Sequence, residues 1–482
     1  MITLTLEQKQ SLGFQYLLDD MQPNCVYGQE LVKNAAPSSR GEREELKEEL
    51  KRLSLLVEGY EKQRSFWDSM ELVLMQMKEV RGSLKRGAEV VLTDLELFEL
   101  KHFLLQWEKL QQLFKREDAV KLPGIVPEDT VGALDLLDPQ KRRLPGFYLV
   151  DEYAEDLKQV RAQKRHLEVV LRQEHEEEKK ERLLRQRQGE VAKEEEISQR
   201  IRGEITEALR PWLERIAHNC SVVGKLDFLI QKAKLALRYR GICPVLTEEE
   251  LKLENMRHPA IEKRLSESHK CFTPISFQME PGAAVITGAN MGGKSVALRT
   301  VALNVILAQS GFFVYATEAR VPLFDTICMV AEEYQSMQNG LSSFGGEIMQ
   351  LQNAIDAQKQ GFGLLVFDEL ARGTNPDEGA SIVRAVVQYL KKRRVMAILA
   401  THYDHVAEYA DYHYQVAGLN QVDMKQLEEE IHSAEGIKGI DVISKYMNYG
   451  IYQVHGKEEC PRDAIHICGL LGLEPELMNL IE

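Results

Sequence analysis

A glycine-rich segment that ends in lysine and serine carries the clearest chemistry in the sequence. Residues 288–295 read GANMGGKS and match the pattern G-x-x-x-x-G-K-[ST], called a P-loop. The pattern requires a strand before it and a helix after it, and the apolar run 284–287 and the helical pattern 293–310 supply both. Backbone N–H groups of such a loop surround phosphates, and the dipole of the following helix favours the anion. We therefore predict that Lys294 contacts the β- and γ-phosphates of a nucleotide and that Ser295 ligates Mg²⁺. The residues predicted to bind the nucleotide here are Gly288, Ala289, Asn290, Met291, Gly292, Gly293, Lys294 and Ser295.

Two carboxylates follow a second apolar run. Residues 364–367 predict a buried strand, and Asp368 and Glu369 come directly after it. Asp368 is suited to the Mg²⁺ shell, and Glu369 is suited to polarise the attacking water. An ordinary strand end with exposed acids is the alternative. The position downstream of a P-loop favours the catalytic interpretation.

A histidine and a serine are predicted to complete the site. Residues 395–400 predict another buried strand, and His402 follows it, where a neutral imidazole can sense the γ-phosphate or the attacking water. Residues 340–347, GLSSFGGE, open a helix with serine and glycine, which predicts a second anion cradle at Ser342. A structural histidine and a simple helix N-cap are the alternatives. Lys294, Glu369 and His402 are the residues predicted to be catalytic.

The composition of the chain changes at about residue 250. Before it, frequent Leu, Glu, Lys, Arg and Gln with few Gly predict an all-helical half. After it, short apolar runs alternate with helical patterns at 293–310, 345–358 and 378–393, which predicts an α/β fold with a largely parallel sheet. The predicted domains are a helical core at 1–150, a charged helical arm at 151–220, a closing helix of the core at 221–250 and a P-loop domain at 251–482.

The arm is the most highly charged part of the chain. Residues 151–220 contain 17 acidic and 15 basic side chains. We expect a solvated, coiled-coil-like pair of helices that reverses near Gly189, with disorder as the alternative. Because the charges nearly cancel, the arm is a poor candidate for binding phosphates.

The overall composition excludes several classes of protein. The 482 residues include 61 Lys and Arg and 75 Asp and Glu, which gives a net charge of −14. This charge excludes a globally basic nucleic-acid binder. The first ten residues lack the pattern of a signal peptide, and the apolar stretch at 301–316 is too short and too polar to cross a bilayer. Seven cysteines without a C-x-x-C pair indicate reduced thiols. These features predict a cytoplasmic protein.

Four segments together resemble a known family. In order and spacing, ITGANMGGKS, NGLSSFGGEI, LLVFDELARGT and ATHY resemble the ATPase domain of the MutS family, which belongs to the ABC-type ATPases. Arg257-His258-Pro259 resembles an element that precedes the ATPase sheet in that family, and residues 226–229, LDFL, resemble the helix that closes its core domain. The strong resemblance covers about residues 250–420.

The resemblance implies an architecture and a cofactor. It implies an α/β P-loop ATPase domain of the ABC/MutS type that is preceded by an all-α core or lever domain. ATP and Mg²⁺ are then the bound species, with Ser295 and Asp368 as metal ligands and His258 near the nucleotide. The protein is expected to dimerise, with itself or with a paralogous MutS-like subunit, through two composite ATP sites. Ser342 is then donated in trans, and residues 375–379 lie at the dimer seam.

The sequence also departs from the mismatch-repair members. Their usual GTSTYDG reads GTNPDEG at 373–379, and no Phe-x-Glu wedge occurs in residues 1–150. A carboxyl-terminal Smr nuclease domain is not expected either. We therefore predict a trimmed, MutS-related ATPase.

The output of that ATPase has competing interpretations. Family resemblance implies binding of mismatches or other DNA structures in repair, although the acidic composition predicts that DNA binding is weak. The alternative is a protein-remodelling ATPase, for example one that reactivates an adenosylcobalamin-dependent aminomutase as its client enzyme. A non-enzymatic scaffold is disfavoured by the intact set of Lys294, Asp368, Glu369 and His402. No membrane partner is expected.

Overall fold

The chain forms two compact units in a computed structural model. Unit 1 comprises Met1–Met21, Ala35–Ser54 and Lys232–Glu482, and unit 2 comprises Gln22–Asn34 and Leu55–Gln231. The described residues are 2, 4–116, 120–288, 293–330, 343–359, 361–419, 422, 427, 429–431, 442–443, 446–455, 468, 470, 473–478 and 480. Both units are built from separate segments of the chain.

Unit 1 contains two sheets. Its strands are β1 (Val245–Thr247), β2 (Leu251–Met256), β3 (Ile275–Met279), β4 (Gly282–Thr287), β5 (Glu318–Pro322), β6 (Thr326–Val330), β7 (Gly363–Asp368), β8 (Val395–Ala400), β9 (Tyr412–Gly418) and β10 (Asn448–Gln453). The larger sheet has the order β10-β9-β4-β8-β7-β6, and the smaller sheet has the order β1-β5-β2-β3. In the larger sheet every pairing is parallel except that of β10 with β9. This arrangement agrees with the predicted α/β fold and its largely parallel sheet.

Apolar composition explains the central strands. All six residues of β4 and of β8 are buried, as are the first five residues of β7, which is typical of strands covered on both faces. The predicted strands 284–287, 364–367 and 395–400 lie within these three. The helices of unit 1 that follow β2 include α12 (Pro259–Glu267), α13 (Lys294–Gln309), α14 (Ser343–Gln358), α15 (Pro376–Lys391) and α16 (Pro475–Met478). The helices α13, α14 and α15 begin and end within two residues of the predicted helical patterns 293–310, 345–358 and 378–393.

The first half of the chain is helical. Its helices are α1 (Leu6–Ser11), α2 (Phe14–Asp19), α3 (Val26–Lys33), α4 (Arg43–Lys62), α5 (Arg64–Leu74), α6 (Arg81–Gly87), α7 (Asp94–Phe114), α8 (Val131–Leu137), α9 (Glu155–Gln173), α10 (Glu177–Leu209) and α11 (Leu213–Arg238). The helix α7 shows the local reason: Thr93 and Glu96 form a capping box at its start, and nine of its side chains are buried. Among the described residues, no helix is long and apolar enough to cross a membrane.

The charged arm is an antiparallel pair of helices, α9 and α10. Ion pairs join the two helices at Arg187 with Glu168 (2.8 Å) and at Arg200 with Asp156 (2.6 Å), and the residue numbers run in opposite directions. Between these pairs, Glu194 accepts hydrogen bonds from both Arg161 and Lys164. The basic side chains that face the partner helix are therefore engaged by carboxylates of the arm itself.

The predicted reversal near Gly189 is wrong, because the arm reverses at residues 174–176. The Glu174 carboxylate accepts hydrogen bonds from the backbone N–H groups of His175 (2.9 Å) and Glu176 (3.0 Å), which replaces helical bonding at this point. Gly189 lies inside α10, where a Cβ would meet no atom within 4 Å. A single glycine in an exposed helix costs only about 1 kcal/mol, which the surrounding helix formers offset.

A buried carboxylate caps a helix in unit 2. Asp227, on α11, accepts hydrogen bonds from the backbone N–H groups of Asn24 (3.0 Å) and Cys25 (2.9 Å), and also from the Asn24 amide and the Cys25 thiol. These groups start α3, whose N-cap residue Cys25 makes no side-chain cap of its own. Gly28 allows the approach, since a Cβ there would lie 2.2 Å from a carboxylate oxygen of Asp227. Asp227 thus supplies the N-terminal cap that the sequence of α3 lacks.

We predict that Asp227→Ala lowers the free energy of unfolding by about 2–4 kcal/mol, because it leaves buried N–H groups without an acceptor. Urea unfolding followed by circular dichroism measures the change. The matched control is Asp68→Ala on α5, which removes an exposed carboxylate bound to Arg64 at 3.1 Å. The control is expected to cost less than about 1 kcal/mol. Equal losses in the two variants would contradict the capping role.

Candidate nucleotide-binding site

The register of three parallel strands brings the predicted residues to one edge of the sheet. Ala400 at the end of β8 pairs with Ile286 near the end of β4 on one side and with Asp368 at the end of β7 on the other. The segments that follow the three strands therefore leave the sheet side by side. This carboxyl edge is where open parallel sheets bind ligands.

Lys294 lies at the start of α13 with its side chain 2% exposed. Its ammonium donates a hydrogen bond to the carbonyl oxygen of Gly288 (2.7 Å) and lies 3.8 Å from Oε1 of Glu369. Gly288 and Gly293 have φ values of 130° and 92°, which favour glycine. The predicted nucleotide contacts of residues 289–292 lie outside the described residues.

The two predicted Mg²⁺ ligands lie in contact. The Ser295 hydroxyl donates a hydrogen bond of 2.8 Å to Oδ1 of Asp368. A hydroxyl and a carboxylate are oxygen ligands of the kind that Mg²⁺ prefers. The described residues hold no cluster of three or more His, Cys, Asp or Glu side chains placed for a metal. The donor set thus fits an ion that takes its remaining ligands from phosphate and water, as Mg²⁺ does.

Glu369 is held between two cations. Its Oε1 faces Lys294, and its Oε2 lies 3.2 Å from a guanidinium nitrogen of Arg372. The backbone at Glu369 is left-handed, with φ of 53°, and its N–H donates to the carbonyl of Ala400 at 3.1 Å. A carboxylate fixed in this way and only partly exposed is suited to orient a water molecule and to accept its proton.

His402 lies in the electrostatic field of the same group. Burial lowers its pKa, and the negative charge of Glu369 opposes this effect in part. The imidazole is therefore mainly neutral at pH 7 and can accept or donate a hydrogen bond. Its ring centroid lies 4.4 Å from that of Tyr403.

His258 is placed differently. Its Nδ1 accepts a hydrogen bond from the N–H of Ile261 (3.4 Å) at the start of α12, and its ring lies against Gly13, where a Cβ would be 2.4 Å from Cε1. The residue is 2% exposed, and Nε2 has no hydrogen-bond partner within the described part of the chain. Burial lowers the pKa of His258 to about 4. Its contact with the nucleotide stays a prediction.

The elements predicted to form a dimer seam flank the site. Asn375 caps α15, since its side chain accepts a hydrogen bond from the N–H of Asp377 at 3.0 Å. The helix α14 begins at Ser343, so Ser342 itself lies outside the described residues. A shallow cavity of about 500 Å³ lies at the first turns of these helices, with Phe344 and Ile382 as its apolar lining.

Two side chains of the site were not found from the sequence. Arg372 was not singled out, although its place three residues after Glu369 makes the contact plausible in a tight turn. Tyr449 on β10 lies beside the start of α13, because a Cβ on Gly293 would be 3.2 Å from its Cδ1. No sequence motif marks Tyr449; its position follows from the pairing of β10 with β9.

Comparison with known proteins agrees with this geometry. Residues 284–467 match the family model described as MutS domain V, an ATPase-type α/β domain. Residues 284–467 are thus similar to domain V of the MutS family. This match confirms the predicted resemblance, and it includes Lys294, Ser295, Asp368, Glu369 and His402.

Curated relatives match the same part of the chain. It is 32% identical to the protein named Endonuclease MutS2 of Acetivibrio thermocellus over 223 residues, which are 45% of this chain and 27% of that protein. It is also 32% identical to Endonuclease MutS2 of Lactococcus lactis subsp. cremoris over 255 residues, which are 52% of this chain and 32% of that protein. The aligned region thus spans about a third or less of each relative's length.

We predict a pH-dependent loss of stability that depends on His258. The pKa of His258 is about 4 in the folded chain and 6.5 in the unfolded chain. As the pH falls below 6.5, the unfolded state therefore binds the proton before the folded state does. This difference lowers the free energy of unfolding by about 3 kcal/mol between pH 6.5 and pH 4. Urea unfolding at several pH values measures it.

The comparison variant is His258→Asn, which keeps an N-cap residue and removes the titration. Its stability should fall less steeply between pH 6.5 and 4 than that of the wild type. His405→Asn, which removes an exposed histidine beside Glu408, serves as the control and should keep the wild-type slope. Identical slopes for His258→Asn and wild type would show that His258 is not the titrating group.

Proposed function

We propose that this chain is a Mg²⁺-dependent ATPase that works in the cytoplasm as a dimer with composite ATP sites. The observation that supports this proposal is the convergence of Lys294, the Ser295–Asp368 pair and Glu369 at one sheet edge. MutS-family proteins are in general ATPases that use ATP with Mg²⁺, act as dimers and bind DNA.

The proposed reaction uses each side chain in a separate role. The ammonium of Lys294 exchanges its contacts with Gly288 and Glu369 for the β- and γ-phosphates of ATP. Ser295 and Asp368 would hold Mg²⁺, which neutralises charge on the phosphates when it is bound. Glu369 orients a water molecule toward the γ-phosphorus and accepts its proton as the bond to ADP breaks. Neutral His402 then donates a hydrogen bond to the γ-phosphate.

A contact between the base of the nucleotide and Tyr449 is proposed at the start of α13. Tyr449 lies beside Gly293 and offers an aromatic face close to the P-loop. His258 interacts electrostatically with Arg299, a residue of α13, which places it near this helix although its ring packs on Gly13. We propose that His258, the N-cap residue of α12, supports nucleotide binding indirectly through the position of this helix.

The dimer is proposed to close over the nucleotide. Ser342, just before α14, would contact the γ-phosphate bound by the other subunit, and residues 375–379 would meet at the seam. The cavity lined by Phe344 and Ile382 supports this, because it leaves apolar surface between the first turns of α14 and α15. The second subunit is a copy of this chain or a paralogous MutS-like chain.

We predict that Glu369→Gln preserves ATP binding and slows hydrolysis by about 10²–10⁴-fold, the usual contribution of a positioned general base. Phosphate release measures turnover, and size-exclusion chromatography with ATP should show the variant accumulating as a dimer. Lys294→Ala is the companion variant: it should lose binding of a fluorescent ATP analogue, because the ammonium that faces the phosphates is gone. Wild-type turnover by Glu369→Gln would assign the base to another residue.

We propose a DNA-related role without tight DNA binding by this chain alone. Where α9 and α10 face each other, basic side chains of the arm are paired with its own carboxylates. Arg187, Arg200 and Lys164 each contact a carboxylate on the opposite helix of the arm. Tight DNA binding requires several basic side chains that displace counterions from phosphates. No feature of the described residues supports the protein-remodelling alternative, so it is not part of the proposal.

We predict that the purified chain binds mismatched duplex no better than matched duplex, with weak affinity that falls as salt rises. An electrophoretic titration at low and at physiological salt, with ATP and with ADP, measures both properties. Mixing in a more basic paralogue, where one is available, tests whether a partner supplies the contacts. Nanomolar binding by this chain alone, selective for mismatches or branched junctions, would contradict the prediction and assign structure-specific DNA binding to it.

A further inference from the structure

The loop after β7 adopts an unusual backbone. Both Glu369 and Ala371 have left-handed φ values, 53° and 65°, although neither is glycine. This conformation is strained for residues other than glycine and persists only where the surrounding structure holds it. Leu370 between them is buried in the core of unit 1. The conformation that presents the Glu369 carboxylate therefore needs support from neighbouring elements.

A buried tyrosine holds one side of this loop. The Tyr403 hydroxyl donates a hydrogen bond of 2.7 Å to the carbonyl oxygen of Ala371. The backbone N–H of Tyr403 is itself fixed by Oγ1 of Thr401 at 3.1 Å. Burial raises the pKa of Tyr403, so the phenol stays protonated and can donate throughout the neutral range.

A buried carboxylate holds the other side. Oε2 of Glu347, on α14, accepts a hydrogen bond of 3.1 Å from the N–H of Ala371. The first turn of α15 closes over the same point, since a Cβ on Gly379 would lie 2.2 Å from the Tyr403 hydroxyl and 3.0 Å from the Ala371 carbonyl. Both polar backbone groups of Ala371 are thus satisfied by side chains from two distant elements.

We infer that Tyr403 and Glu347 are positioning residues for hydrolysis. Their hydrogen bonds to Ala371 fix the backbone two residues after Glu369. Through it they hold the carboxylate in the orientation that faces Lys294. The inference rests on the proposed ATPase function, in which Glu369 is the base.

The test compares variants that remove the hydrogen bonds to Ala371. Tyr403→Phe and Glu347→Ala should lower kcat by about 10- to 100-fold, since a small displacement of a catalytic group has costs of this size. The Kd for a non-hydrolysable ATP analogue should change by less than about threefold, which corresponds to a difference of less than about 0.7 kcal/mol. Glu347→Gln keeps an oxygen that can accept from Ala371 and should recover most of the lost kcat.

Two matched controls separate positioning from loss of stability. Tyr414→Phe removes a buried hydroxyl that donates to the carbonyl of Gln278 at 2.6 Å, and Asp325→Ala removes a carboxylate that accepts from the N–H of Phe362 at 2.8 Å. Both bonds lie in unit 1 and outside the loop after β7. The controls should lower Tm about as much as the test variants while keeping wild-type kcat.

The outcomes distinguish this inference from the proposed function. Absence of hydrolysis by the wild-type chain would overturn the proposed function and this inference with it. An active wild type whose Tyr403→Phe and Glu347→Ala variants keep full kcat would overturn the inference alone. Equal losses of kcat in the test and control variants would also overturn it, because the effect would then be general destabilisation.

Discussion

The alignment of Ile286, Ala400 and Asp368 across three neighbouring parallel strands is the constraint on which the site depends. It sets the starting points of the segments that carry the P-loop, His402 and Glu369. The hydrogen bond from the N–H of Glu369 to the carbonyl of Ala400 continues the same ladder one residue beyond the strand. A register shift of one residue would turn each side chain to the opposite face and separate Ser295 from Asp368. The apolar strands that fix this register therefore fix the chemistry as well.

Local sequence pattern was sufficient for the elements that present the site. The strands β4, β7 and β8 are short apolar runs that end at or just before a polar residue, so their bounds could be predicted closely. The helix α13 follows a glycine-rich loop that has few other uses. The contacts around Ala371 could not be predicted, because Glu347 and Tyr403 lie 24 and 32 residues away. Nothing in the amino-acid sequence of the loop after β7 indicates the left-handed backbone at Glu369 and Ala371.

Long-range contacts also explain why the compact units are not continuous in sequence. Lys232 on α11 is fully buried in unit 1, where its ammonium donates to Glu49 (2.5 Å) and to the carbonyl oxygens of Ser310 (2.9 Å) and Gly311 (3.2 Å). These carbonyls follow the end of α13, where the helix dipole favours a cation. Burial lowers the pKa of Lys232, and Glu49 opposes this effect. A residue of α4 and a residue of α11 thus pack on the P-loop helix, which composition alone could not indicate because every helix of the first half has a similar composition.

The two cations beside Glu369 have different consequences in the proposed reaction. Lys294 neutralises the carboxylate only until phosphates take its ammonium, and binding of ATP therefore removes one of the two contacts that orient the base. Arg372 remains, but its side chain is 55% exposed. An ion pair with such a solvent-exposed guanidinium contributes little to the orientation of Glu369. The orientation of Glu369 must then come mainly from its backbone. Because that backbone is strained at Glu369 and Ala371, the buried bonds from Tyr403 and Glu347 matter most at the step when the nucleotide is bound and water attacks the γ-phosphorus.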